Sequence, residues 1–118
     1  MNTPVFDSVR HEHLQQELVR VVARLRDVYD PEKIIVFGSF VEKKTRTWSD
    51  LDIAVIKKTN KRFIDRLIEV GRLLDSEVAI DVVVYTPQEF REMADDNYFV
   101  RDEIVGKGRV MYDKTKSN

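Results

Sequence analysis

The sequence predicts an α/β (α+β) domain in which a small mixed β-sheet is flanked by helices. Two observations predict it. Runs rich in β-branched residues at 33–38, 49–57 and 77–85 read as strands. Around and between them, apolar residues recur every three or four positions, which is the period of an amphipathic helix. Both kinds of element in one short chain imply a helix-covered sheet. The 118 residues fit a single domain, 1–118, with 115–118 expected as a frayed tail.

Taken in order, residues 7–29 place Leu14, Leu18, Val21, Val22, Leu25 and Val28 on one helical face, and Pro31 marks its stop. KIIVFG (33–38) is a short buried strand broken by Gly38. FVEKKTRTW (40–48) is a polar, basic loop with one helical turn at its start, and SDLDIAVIK (49–57) is the second strand. In residues 60–76, Phe63, Ile64, Leu67, Ile68, Gly71 and Leu74 share one side of a second helix. EVAIDVVVY (77–85) is the third strand. TPQEFREMA (86–94) opens a helix with Thr86 as N-cap and Pro87 at the first helical position. A further helix covers NYFVRDEIV (97–105), Gly106 or Gly108 ends it, and RVMYD (109–113) is a last short strand.

Composition bounds the function. Lys plus Arg total 20 against 21 Asp plus Glu, a net charge of -1, which disfavours a protein whose work is gripping a long polyanion. Nucleic acid is therefore not expected as a direct ligand. The absence of cysteine removes disulfides and thiolate metal sites. No apolar run approaches the ~20 residues that span a bilayer. The N-terminus lacks a basic segment followed by an apolar one, so a cytoplasmic location is expected.

The chemistry-bearing residues are acids set in apolar strands. Because side chains alternate, Asp50 and Asp52 face one way and Leu51, Ile53 and Val55 the other. Asp81 stands alone among apolar neighbours in the third strand, and completes an acidic cluster if the two strands are adjacent. Converging carboxylates repel unless a hard cation joins them, and Mg²⁺ favours one or two carboxylates, water and substrate phosphate. Two such ions about 4 Å apart clamp the attacking and leaving oxygens of a phosphoryl displacement. Gly38-Ser39 adds a turn whose backbone N–H groups suit an anion. Each feature alone is commonplace; their order on three consecutive strands is not.

These positions resemble the minimal nucleotidyltransferases of the DNA polymerase β-like superfamily. That family's signature is Gly-Ser, about ten residues, then Ser-Asp-x-Asp in a strand and one acid in a later strand. Here the matching residues are Gly38, Ser39, Ser49, Asp50, Asp52 and Asp81. The likeness runs from Ile34 to Tyr112 and includes the closing stretch NYFVRDEIVGKGRVMY. Where the family commonly reads Gly-Ser-x-Ala-Arg-Gly, this chain has Val41, Glu42 and Lys43 after Phe40, so the cation falls to Lys43, Lys44 or Arg46.

The resemblance implies that Asp50 and Asp52 bind two Mg²⁺ ions and that Asp81 holds the ion activating the acceptor hydroxyl. It implies that Gly38 and Ser39, with Ser49 and Lys43, bind the nucleoside triphosphate. It further implies transfer of AMP from ATP to a tyrosine of an all-helical HEPN toxin partner, an antitoxin role, and a homo- or hetero-oligomer. Two alternatives stand beside it: a catalytically weak module that neutralises a partner by contact, and a free-standing transferase for a small hydroxylated molecule. His11 and His13 project about 200° apart on a helix and are read as exposed. Trp48 is read as a packing residue.

Overall fold

The first helix begins where the sequence offers a cap. In the computed structural model, which describes residues 5–116, the Asp7 side chain accepts the Arg10 N–H at 2.8 Å and α1 runs Ser8–Arg24. It widens into a π-helical turn, Leu25–Tyr29, that stops at Asp30 in the left-handed region, φ 53°. The wider turn shifts the buried face by one residue. Tyr29 goes inside and Val28 turns out to 49% exposure, against the periodicity of the sequence.

The sheet contains β1 (Lys33–Phe37), β2 (Leu51–Ile56), β3 (Ile80–Tyr85) and β4 (Arg109–Asp113), in the order β3-β2-β1-β4. β1 is antiparallel to both β2 and β4, whereas β2 and β3 are parallel. Helix α2 (Phe63–Leu73) supplies the crossover that a parallel pair requires. Helix α3 (Pro87–Asp96) starts at Thr86 with a complete capping box to Glu89, and α4 (Phe99–Gly106) is π-helical. Residues Lys114–Lys116 form a 3-10 turn where a frayed tail is expected, and residues 117–118 lie outside the described part.

Strand alternation divides the core in two. Ile34, Val36, Leu51, Ile53 and Val55 pack with Leu14, Leu18 and Val21 of α1 and Val70 of α2. Ile35, Phe37 and Ala54 pack on the other face with Val100 and Ile104 of α4. Helix α2 is rotated from the expected orientation: Arg66 and Val70 are buried, and Phe63, Ile64 and Ile68 are exposed. The reason is Arg66, whose guanidinium donates to the Val84 carbonyl at 3.1 Å and pairs with Glu89 at 2.7 Å. Satisfying that buried cation sets the rotation, and hydrophobicity alone does not reveal it. Among the described residues, no helix is long and apolar enough to cross a membrane.

Candidate active site

The end of β1 and the starts of β2 and β3 meet at one edge of the sheet. The antiparallel register sets Phe37 against Asp52, and the parallel register sets Asp52 against Asp81. By alternation these two acids project on the face that α3 and α4 cover, along with Phe37, Ala54 and Val83. Asp81 is exposed and Asp52 partly buried. Burial, then the neighbouring charges of Asp81 and Asp50 and a hydrogen bond with the Asp81 side chain, push the Asp52 carboxyl up to about 6.

Gly38 follows directly, at φ +82°, a conformation that L residues rarely adopt. A methyl group there would also run into the Asp52 carboxylate. The glycine is thus required twice over, for the turn and for the close approach of the acid. In the turn that follows, Glu42 N–H donates to Gly38 O at 3.2 Å and Lys44 N–H to Ser39 O at 2.9 Å. The amides of Ser39, Phe40 and Val41 find no backbone acceptor among the described residues, as in the first turn of a helix. Such amides suit an anion. Lys43 closes the turn in the left-handed region, φ 56°, and is exposed. The Glu42 carboxylate lies 3.7 Å from Lys44 Nζ and 3.9 Å from Lys107 Nζ.

Ser49 joins the two halves. Its buried hydroxyl accepts from the Arg46 N–H at 2.8 Å and from Ser39 Oγ at 3.2 Å. Its carbonyl accepts both Arg10 Nε, at 3.0 Å, and Nη2, at 2.8 Å. Arg10 Nη2 also stands 3.8 Å from Asp50, so Asp50 leans toward α1 while Asp52 and Asp81 face each other. Among the described residues, no group of three or more His, Cys, Asp or Glu side chains is arranged to hold a metal ion, so the three acids do not by themselves form a ligand set. The Asp52–Asp81 pair beside a turn whose amides lack backbone acceptors nevertheless has the donor chemistry that suits Mg²⁺ arriving with phosphate ligands and water.

Sequence reasoning misses Arg10, since helical periodicity assigns it only to a polar face. The histidines also depart from expectation. His11 is partly buried, stacked on Phe40 at 4.4 Å and within 2.8 Å of Thr45 Oγ1, and His13 is partly buried near Glu77. Trp48 is 71% exposed and packs no core, because Ser49 and Thr45 take the buried positions of its loop.

Among curated proteins, no sequence matches the chain. Of solved structures, it is similar to a candidate nucleotidyltransferase from Sulfolobus solfataricus, with a TM-score of 0.68 and 16% identity. That match covers 99% of this chain and 96% of the other, and at that identity it concerns the fold. Residues 20–117 match the profile of the family "Polymerase beta, Nucleotidyltransferase". A profile covering most of the chain, together with paired acids next to a Gly-Ser turn, establishes that the protein belongs to the polymerase beta nucleotidyltransferase family.

Proposed function

We propose that the protein transfers AMP from MgATP to a hydroxyl on a protein acceptor, a tyrosine of an all-helical HEPN toxin, and so acts as its antitoxin. The observation that carries the chemical part is the Asp52–Asp81 pair across β2 and β3, directly against Gly38. The acceptor and the antitoxin role rest on the resemblance to minimal nucleotidyltransferases.

Asp50, Asp52 and Asp81 would hold Mg²⁺, which when bound offsets the phosphate charge and favours ionisation of the acceptor hydroxyl. The Ser39, Phe40 and Val41 amides bind and orient the β- and γ-phosphates, with Lys43 at the turn's exposed end. The Ser39 hydroxyl joins them by turning its proton from Ser49 to a phosphate oxygen, while the Ser49 hydroxyl donates to it in return. Ser49 keeps Ser39 and the acidic strand in register through its own bonds. Asp81, the more exposed acid, faces the incoming hydroxyl and takes its proton. The acceptor oxygen bonds to the α-phosphorus as the bond from that phosphorus to the bridging oxygen breaks. Pyrophosphate leaves with that oxygen. An unperturbed tyrosine has a pKa near ~10, so its hydroxyl needs this assistance at neutral pH.

The test is intact-mass analysis of a co-expressed helical neighbour after incubation with ATP and Mg²⁺. The enzyme reading expects an added AMP and no addition with Asp50→Asn/Asp52→Asn. If that double variant silences the neighbour as well as wild type does, with no mass gain in either, neutralisation by contact replaces it. Glu42 does not favour that alternative, because Lys44 and Lys107 offset its charge.

A further inference from the structure

We infer that the open edge of β3 beside Asp81 receives an extended polypeptide segment as an added strand, and that a protein acceptor presents its hydroxyl residue in this way. The inference rests on the protein-acceptor reading above. β3 is an outer strand of the sheet. Leu51 N–H donates to Ala79 O at 3.2 Å and Lys57 N–H to Tyr85 O at 2.9 Å. Bonding residues alternate along a parallel ladder, so 79, 81, 83 and 85 turn their peptide groups toward β2. Ile80, Val82 and Val84 therefore turn theirs outward.

The outward edge is closed over one half only. The Val84 carbonyl is taken by Arg66, which is locked in turn to Glu89. Ile80 and Val82 have no such cover among the described residues, and they flank Asp81. Sheet edges are usually blunted by proline, lysine, a bulge or a covering element. Here the unprotected half coincides with the third acid. Beside it runs a groove of about 470 Å³ lined by Leu67, Val70, Leu74, Ile80 and Val82, able to take alternate side chains of an added strand.

Register then does the positioning. A segment bonded through Ile80 and Val82 sets one residue directly opposite Asp81, with Cβ atoms about 4.5–5.5 Å apart on the same face. That face also carries Asp52. Asp75, Glu77 and Asp81 are exposed along this end, which favours a segment with lysine or arginine beside its hydroxyl residue. A second copy of this chain fits less well. Antiparallel β3–β3 pairing through the same outward groups would set Asp81 against Asp81, and like charges directly opposite are destabilising.

The probe is a short fluorescent peptide of alternating valine and threonine with one tyrosine flanked by lysines, read by anisotropy on the full chain with and without MgATP. Two copies, N-methylated at one or the other set of alternate amides, test for strand pairing. One set should weaken binding about tenfold and the other little, since only one set faces the edge. Val82→Pro removes an outward N–H but no β2 bond, and should weaken the probe about tenfold while MgATP binding persists. The inference is overturned by no probe binding, by equal binding of both methylated peptides, or by undiminished binding to a folded Val82→Pro. It is also overturned if the edge is occupied by a second copy, seen as dimerisation that Val82→Pro abolishes. Should that variant fail to fold, the methylated pair decides. Probe binding without MgATP binding would sink the nucleotide reading and leave the edge assignment standing; the reverse result would sink the edge assignment alone.

Discussion

Glu17 and Asp52 are both carboxylates withdrawn from water, and their surroundings treat them in opposite ways. Glu17, buried on α1, accepts from Arg20 at 3.0 and 3.2 Å, from Ser76 Oγ at 3.0 Å and from the Glu77 N–H at 3.0 Å. Arg20 first, and then the Glu77 N–H, hold its carboxyl down at about 2. Asp52 meets burial and two further acids, and is pushed up to about 6. A carboxylate supplied with donors ties the segment before β3 to α1. One confronted with its own kind is left in need of a cation. The first is architecture; the second belongs to the candidate site, and its repulsion carries a cost in stability.

The sharpest way to break the comparison is to neutralise each acid. Asp52→Asn should lower AMP transfer by about 10²–10⁴-fold. The same change should raise stability at neutral pH by about 1–2 kcal/mol, since it removes a repelled charge. Activity and urea melts on one sample check both; a loss of stability would show Asp52 to be structural. Glu17→Gln should do the reverse. It turns an amide donor toward Arg20, Ser76 and the Glu77 N–H, and should cost about 1–3 kcal/mol with MgATP binding unchanged by calorimetry.

pH sharpens the same contrast. Asp52 binds a proton more tightly folded than unfolded, where its value is 3.8. Its contribution is therefore favourable below 3.8 and is lost as pH rises through about 6. Glu17 has the opposite sign: its contribution is present above 4.5 and is lost as pH falls toward about 2. In urea melts, wild type and Asp52→Asn should coincide below 3.8 and diverge up to about 6, with the variant the more stable. The smallest effect belongs to Trp48→Ala, where 71% exposure predicts a stability change within about 0.5 kcal/mol.

Much of the fold was legible because it is written in local periods. Runs of β-branched residues located the strands to within a few residues, and Thr86-Pro87 specified the start of α3 through backbone groups only a turn away. Departures arose where a distant partner intervened. Arg66 rotates α2 by reaching Val84 and Glu89, and the π-helical turn carries Val28 out of the face its spacing assigned.

The site divides along the same line. Residue type and order alone determined that Gly38-Ser39 would precede an Asp-x-Asp strand and that Asp81 would stand unaccompanied in a third, since an acid among β-branched residues is anomalous wherever it folds. That Asp81 would meet Asp52 required β3 to lie parallel beside β2 in one register, and a shift of a single residue would have turned it to the opposite face. That Arg10 would grip Ser49 and stand beside Asp50 required the start of α1 to come back over a loop 39 residues away. That β3 would be an edge, closed by Arg66 at Val84 and open at Asp81, depended on the order of strands in the sheet. Local chemistry chose the groups; only long-range pairing, which no local period encodes, decided which of them face one another.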